Sequence, residues 1–153
     1  MPTPAELAFT EPALRRAWGE VLAANTVEGM PAPSIRRFEE HLDDEIARLV
    51  ADLAWGAYEP LPLTEVVLDA PDDGRVLHIP AVRDRVVERA VLEAVTPLVD
   101  PLLGPASYAY RPGLGVADAV QAVARLRDEG LGWVLRTDVD DCFPSIPVPI
   151  ARR

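Results

Sequence analysis

The stretch at residues 131–150, LGWVLRTDVDDCFPSIPVPI, decides how the rest of the chain is interpreted. In it, the apolar run Trp133-Val134-Leu135 is followed by Asp138, Asp140 and Asp141. This pattern predicts a short buried strand that ends in carboxylates. Carboxylate oxygens at a rigid strand end suit Mg²⁺, which keeps coordination positions for substrate phosphates. Clustered aspartates are also typical of a solvated turn in which the side chains cap their own backbone, and the pattern by itself favours that turn.

The spacing beyond the acids resembles a known family. Phe143 stands five positions after Asp138 and is followed by Ser145-Ile146, which resembles the first catalytic motif of reverse transcriptases of the group II intron type. The resemblance continues upstream, in the family's order, in RVLHIP at 75–80, VRDRVV at 82–87 and SYAYRPG at 107–113. It implies an α/β fold of the α+β kind, the fingers and partial palm of a right-hand polymerase, with helices packed on a small antiparallel sheet.

The resemblance also implies a role for individual residues. Asp138 would be catalytic and would bind the catalytic Mg²⁺ together with Val139. The incoming nucleotide would be contacted by Arg75, Asp141 and Phe143. Nucleic acid would be contacted by Arg83, Arg85, Tyr110 and Arg111. The implied partners are an RNA template, a DNA primer and dNTPs.

Simple chemistry supports these roles, although each has a structural alternative. A guanidinium can bind phosphate oxygens through two donors, and an aromatic ring can stack on an unpaired base. Alternatively, Arg75 is a surface residue on a hairpin, the segment 83–89 is a salt-bridged helix face, and SYAYRPG is a turn that enters a helix. The family often has a Lys where this chain has Asp69-Ala70, and Gly-Phe where it has Ala109-Tyr110.

Composition limits the size of the core and the kind of partner. A chain of 153 residues with 49% hydrophobic content can bury one ordinary core. Its net charge of −10 is opposite to that of a chain that wraps nucleic acid alone. We therefore expect basic partners or other parts of a larger protein to supply the positive field. The single cysteine, the lack of a long apolar run and the lack of a signal-peptide pattern predict a cytoplasmic protein with no membrane contact.

Periodicity and turn residues predict the local elements. Residues 1–8 are expected to be loosely ordered, and Thr10 is expected to cap the first helix. The further elements are a helix over 35–55 capped by Ser34 and stopped by Gly56, a hairpin from strands at 63–68 and 75–79 around a turn at 71–74, a helix after Pro80 that ends at Pro97 and Pro101, and a helix over 116–126 closed by Gly130. The predicted domains are an N-terminal helix and linker at 1–33, a fingers-like region at 34–113 and the start of a palm at 114–153.

The resemblance implies that this chain is part of a longer enzyme. Two-metal phosphoryl transfer needs acids from separate strands, and the sequence lacks the family's second motif, an aromatic residue followed by x-Asp-Asp. We expect an amino-terminal part of a reverse transcriptase that is inactive alone. Segments 76–90 and 107–113 are most similar to reverse transcriptases fused to the CRISPR spacer-acquisition integrase. That similarity implies spacer acquisition in antiviral defence, with CRISPR integration proteins as partners.

Two other functions fit parts of the sequence. Asp138-Val139-Asp140 after an apolar run approximates the haloacid-dehalogenase phosphatase pattern, in which the first Asp is a nucleophile. That pattern normally opens its domain, and Cys142 stands here where Thr or Val belongs. A non-catalytic nucleic-acid-binding or scaffold fragment is the remaining alternative.

Overall fold

The computed structural model describes residues 2–27, 30–68, 75–140, 142 and 145–147. Helices and small antiparallel sheets form the described elements, so the α+β class is confirmed. The chain divides into two compact units, Met1–Gly104 and Pro105–Arg153. The domain boundaries predicted after residues 33 and 113 stay predictions.

The chain begins with two capped helices, α1 (Pro4–Ala8) and α2 (Glu11–Ala24). Thr10 accepts a hydrogen bond from the Ala13 N–H at 3.3 Å, which confirms the predicted cap. The expectation of loose order before residue 8 is wrong. Thr3 and Glu6 form a capping box, in which the Glu6 carboxylate accepts from the Thr3 N–H at 2.6 Å and the Thr3 hydroxyl accepts from the Glu6 N–H at 3.2 Å.

A short antiparallel pair, β1 (Thr26–Val27) with β2 (Met30–Pro31), leads to α3 (Pro33–Glu40) and α4 (Leu42–Ala54). The sequence predicted one helix here, and that prediction is wrong at His41, where φ of −123° breaks the helix. The break lets each helix turn its own apolar face to the core, with Ile35 on α3 and Ile46 on α4 fully buried.

Both ends of this helical region follow from local residues. Ala32 occupies the position before α3 without a side-chain cap, so the predicted Ser34 cap is wrong. Pro33 suits the first helical position because it has no N–H to satisfy. At the other end Gly56 has φ of +65°, and the Ala57 N–H returns to the Asp52 carbonyl at 2.8 Å. Gly56 therefore stops the helix as predicted.

The predicted hairpin is confirmed as β3 (Thr64–Leu68) paired antiparallel with β4 (Arg75–Ile79), with Thr64 opposite Ile79. The predicted turn at 71–74 lies outside the described residues. The following helix, α5 (Val82–Val99), is also confirmed, but it continues through Pro97. Proline removes its own N–H and its ring crowds the carbonyl one turn earlier, and α5 ends soon after Pro97 in a 3₁₀ turn, Asp100–Leu102.

The core of the first unit lies between its helices. Trp18 of α2 and Phe38 of α3 meet with ring centroids 5.0 Å apart. The largest side chains that are fully buried among the described residues are Leu14, Ile35, Ile46, Leu49 and Val86. Val86 comes from α5, so the helix that follows the hairpin is anchored in this core.

The second unit contains α6 (Val116–Asp128), which confirms the predicted helix, and Gly130 follows it with φ of +98°. The predicted buried strand is wrong, because residues 131–139 form no strand and the side chain of Trp133 is 98% exposed. A buried strand needs a neighbouring strand to pair its backbone N–H and C=O groups, and the described residues provide none beside this segment. In the described part of the chain, every helix is too short or too polar to cross a membrane.

Candidate nucleic-acid and nucleotide site

Among the described residues of the first unit, Asp84 is the charged residue with a buried side chain. Asp84 lies near the start of α5 and is 3% exposed. Its Oδ1 accepts from the Tyr58 hydroxyl at 2.8 Å, and its Oδ2 accepts from the Leu61 N–H at 2.9 Å. A buried carboxylate is tolerated when such donors replace water. Asp84 therefore joins α5 to the connector between α4 and the hairpin.

Arg83 is held within the same network. Its guanidinium carbon lies 5.4 Å from the centroid of the Tyr58 ring. Its Nη2 is 3.4 Å from Asp52 Oδ2, and its Nε is 3.6 Å from Asp84 Oδ1. The salt-bridged alternative thus describes Arg83 well.

Arg85 is placed differently. Successive residues of a helix are rotated by about 100°, so Arg83 and Arg85 lie on nearly opposite sides of α5. Within the described residues no hydrogen bond or ion pair holds the half-buried Arg85. Of the two arginines, the geometry therefore leaves Arg85 available for a phosphate.

The network changes the acidity of Tyr58. Burial, and then the hydrogen bond to the Asp84 carboxylate, raise the pKa of the Tyr58 hydroxyl. Ionised tyrosine would face the negative charge of Asp84 without the proton that they share. Tyr58 is therefore a structural donor at neutral pH rather than an acid or base for chemistry.

Arg75 begins β4 at its pairing with Leu68. Its side chain lies outside the described residues, so its nucleotide role stays a prediction. The hairpin around it is exposed, with Val67 at 64% and Val76 at 49%. On the same ladder His78 Nδ1 lies 3.7 Å from the opposite Glu65 carboxylate.

In the second unit, Tyr110 and Arg111 share one loop. Tyr110 has φ of +57°, and its side chain is fully exposed. Positive φ is uncommon for a bulky residue and marks a backbone that is held by its surroundings. Arg111 Nη1 donates to the Ser107 carbonyl at 3.1 Å. The loop thus presents one free aromatic face beside an arginine.

An apolar cavity of about 570 Å³ opens beside this loop. Tyr108 and Tyr110 form part of its wall, and α6 provides Val116, Val120 and Val123. These valines are 81%, 61% and 57% exposed. The apolar face that the sequence predicted for α6 exists, but the described residues of this unit leave it largely uncovered.

Asp138 and Val139 lie in the segment without regular structure. Asp138 Oδ1 accepts from the Val139 N–H at 2.9 Å, and both residues are exposed. This contact is local, as in the self-capping turn that the sequence left open as an alternative, and residues 138–139 have no assigned turn. The two other residues assigned to this region, Asp141 and Phe143, lie outside the described residues.

The described residues do not fit a complete magnesium site. In the part of the chain that the structure describes, no three His, Cys, Asp or Glu side chains come together as metal ligands. Magnesium bound through carboxylates and substrate phosphates needs its ligands in near-octahedral positions. Further acids are needed to build such a site around Asp138.

Comparison with known proteins supports the resemblance. The chain is 35% identical over 107 residues to protein YkfC of Escherichia coli K12. The matched region covers 67% of this chain and 28% of YkfC. It is 31% identical over 108 residues to an uncharacterized 91 kDa protein in the cob intron of Schizosaccharomyces pombe. That match covers 68% of this chain and 13% of the relative. It is 23% identical over 106 residues to the group II intron-encoded protein LtrA of Lactococcus lactis. That match covers 68% of this chain and 18% of LtrA.

The chain has homologues among group II intron-encoded proteins. It spans less than a third of the length of each of these relatives, between 13% and 28%. No protein-family model matches the chain.

The sequence did not predict the hydrogen-bond network around Asp84. The sequence interpretation placed Asp84 on the charged outer face of α5, and the structure buries it. A usable indication was present, because Asp84 precedes Val87 by one helical turn and so shares the face that packs inward. No role was predicted for Tyr58, which lies between α4 and β3 and packs against the core.

Proposed function

We propose that this chain is the amino-terminal part of an RNA-directed DNA polymerase, a reverse transcriptase of the group II intron type. The observation that carries the proposal is homology over two-thirds of the chain to intron-encoded proteins. The ordered motifs at 75–80, 82–87, 107–113 and 138–146 support it, because they resemble that family in the same order.

In this proposal, arginine and tyrosine side chains of the described residues bind nucleic acid. Arg85 provides a phosphate contact from the first unit. Tyr110 provides a stacking face in the second unit, and Arg111 supports the loop that carries it. Stacking on an exposed ring tolerates any base, which suits a polymerase that must copy every template sequence.

Catalysis needs residues beyond those described. Asp138 is the proposed catalytic acid and, with Val139, the proposed metal contact. Magnesium, when bound in the complete enzyme, would stabilise charge on the transferred phosphoryl group. Asp138 is exposed at the end of an apolar segment, so it can be completed by acids from other strands. Arg75, Asp141 and Phe143 are the proposed contacts for the incoming dNTP.

The finer proposal is a role in CRISPR spacer acquisition. It is supported by the similarity of segments 76–90 and 107–113 to reverse transcriptases fused to the spacer-acquisition integrase. Its proposed partners are CRISPR integration proteins. Co-purification of the complete protein with an integrase, followed by sequencing of spacers copied from RNA, tests this role.

A second candidate is a non-catalytic nucleic-acid-binding fragment. The observation that favours it is the fully exposed ring of Tyr110, which can stack on an unpaired base without a metal. Primer extension separates the candidates. The chain alone, given primer, RNA template, Mg²⁺ and dNTPs, should show no extension, whereas a complete protein containing it should extend the primer. Failure of the complete protein, with RNA binding retained, would favour the second candidate.

A further inference from the structure

Asp84 lies where both ends of the β3–β4 hairpin meet the helices. Leu61, which donates to Asp84 Oδ2 at 2.9 Å, stands just before β3. Asp84 itself stands just after β4, in the first turn of α5. Thr64 and Ile79 pair at the base of the hairpin. The backbone, the Thr64–Ile79 pair and the Asp84 hydrogen bond therefore form a closed loop of connections at the base of the hairpin.

The hairpin has little else to fix its direction. It is two-stranded, and Val67, Val76 and Leu77 are 64%, 49% and 41% exposed. An isolated two-stranded hairpin is only marginally stable in water. Its orientation relative to the helices is thus set mainly at its root.

We propose that Asp84 is a positioning residue that fixes the direction of the β3–β4 hairpin. It holds the connector at two points, the Tyr58 hydroxyl and the Leu61 N–H, while Val86 and Val87 anchor its own helix in the core. Arg83 also packs on the Tyr58 ring, with its guanidinium carbon 5.4 Å from the ring centroid. Both Asp84 oxygens accept from the connector, so its role is more than capping α5.

One consequence rests on the proposed function. β4 begins with Arg75, the proposed contact for the triphosphate. A hairpin with a fixed direction would present Arg75 to the nucleotide at a lower entropic cost than a hairpin free to swing. Loss of the Asp84 link should then raise KM for dNTPs more than it lowers kcat.

The direct test measures the hairpin in the chain itself. Cys142 is replaced by Ser, and nitroxide labels are attached at cysteines introduced for Val67 on β3 and Ala51 on α4, both exposed. Pulsed electron resonance then gives the distribution of distances between the labels. We expect a narrow distribution when Asp84 is present and loss of that narrow distribution in Asp84→Ala and Asp84→Leu.

Two variants separate hydrogen bonding from packing. Asp84→Leu fills the space without accepting a hydrogen bond. Asp84→Asn can accept from Leu61 and donate to the Tyr58 oxygen, because a tyrosine hydroxyl also accepts. Positioning through hydrogen bonds predicts that Asn keeps the narrow distribution and Leu loses it. The proposal would be overturned if Asp84→Leu kept the narrow distribution and Asp84→Asn lost it. An unchanged distribution in both Asp84→Ala and Asp84→Leu would also overturn it.

Two further variants keep the test decisive. Asp43→Ala removes an exposed carboxylate, whose partner is Arg15 at 2.7 Å, and should leave the distribution narrow. Equal broadening in this control would overturn the proposal. If Asp84→Ala does not fold, Tyr58→Phe removes one hydroxyl and should still broaden the distribution. An unchanged Tyr58→Phe distribution would then count against the proposal.

The nucleotide consequence is tested separately in the complete polymerase. A broadened hairpin with unchanged KM for dNTPs would leave the positioning role intact and overturn the hairpin's role in nucleotide binding. Absence of any polymerase activity in the complete protein would instead overturn the proposed function, and the distance measurement on the chain would still decide the role of Asp84.

Discussion

The guanidinium of Arg83 lies over the ring of Tyr58, with its carbon 5.4 Å from the ring centroid. This contact distinguishes Arg83 from Arg85, which stands two positions later in the sequence. Arg83 is also 3.4 Å from the Asp52 carboxylate. Arg85 lies on the other side of the same helix without such partners among the described residues. A structural arginine and an arginine available for a ligand therefore flank Asp84.

The two arginines should respond differently to mutation. Arg85→Ala should weaken RNA binding by the complete protein, with little effect on stability. The slope of the logarithm of the binding constant against the logarithm of salt concentration should become shallower by about one. Arg83→Ala should lower the free energy of unfolding by about 1 kcal/mol, since it removes a cation–π contact and a partly exposed ion pair. Fluorescence anisotropy across a salt series and urea unfolding measure the two effects. The reverse pattern would show that Arg83 faces the nucleic acid.

Alkaline pH should unfold the chain through Tyr58. Burial and the Asp84 hydrogen bond raise the pKa of this hydroxyl, so the folded protein keeps a proton that the unfolded chain loses above about pH 10. Stability from this group is full below that pH and is lost as pH rises further. The sequence contains no lysine to titrate in the same range.

Tyr58→Phe tests this linkage. The variant should be less stable at pH 7 by about 1 kcal/mol, because the Asp84 carboxylate loses a donor. Its melting temperature should also fall less steeply than that of the parent between pH 9 and pH 11 (about one unit either side of the ordinary tyrosine value). Parallel curves for the two proteins would show that another group controls the alkaline transition.

Tyr110 should contribute to binding without contributing to folding. Its ring is fully exposed, so Tyr110→Ala should leave the melting temperature nearly unchanged while weakening single-stranded RNA binding by ~1–3 kcal/mol. Tyr110→Phe should bind nearly as well, because stacking needs the ring and not the hydroxyl. Trp55→Ala is the matched control, since Trp55 is 86% exposed on the other unit. Equal losses in Tyr110→Ala and Trp55→Ala would argue against a specific stacking site.

Phe143 is expected to select deoxynucleotides. A ring beneath the incoming sugar would exclude a 2′-hydroxyl by steric clash. Phe143→Ala in the complete enzyme should therefore raise kcat/KM for a ribonucleotide relative to the matching deoxynucleotide. If Phe143 is instead a core aromatic, the change should cost about 3–5 kcal/mol of stability and depress both substrates alike. A melting curve measured beside the kinetics distinguishes these results.

Local chemistry made much of the first unit predictable from sequence. Thr10, Gly56 and the paired strands of the hairpin act through neighbours close in the chain, and the structure confirms them. Asp84 was harder to place, because its burial depends on donors from a connector more than 20 residues away. A charged residue on a helix gives no sequence indication of such distant partners.

The candidate site was less predictable for a related reason. A buried strand at Trp133-Val134-Leu135 requires neighbouring strands, and the described residues offer none. The apolar pattern was recognised correctly, but in this chain it is exposed, with Leu135 at 88%. Local sequence patterns predict a catalytic acid at Asp138, but they cannot show which residues elsewhere would complete a metal site.

In the proposed reverse transcriptase, Asp138 is expected to be a catalytic acid. The most direct measurement is RNA-templated primer extension by a complete protein carrying Asp138→Asn, beside the parent and the matched control Asp128→Asn on the exposed end of α6. We expect Asp138→Asn to abolish extension with an unchanged melting temperature, and Asp128→Asn to keep near-parental rates. Near-parental extension by Asp138→Asn would show that Asp138 is not the catalytic acid.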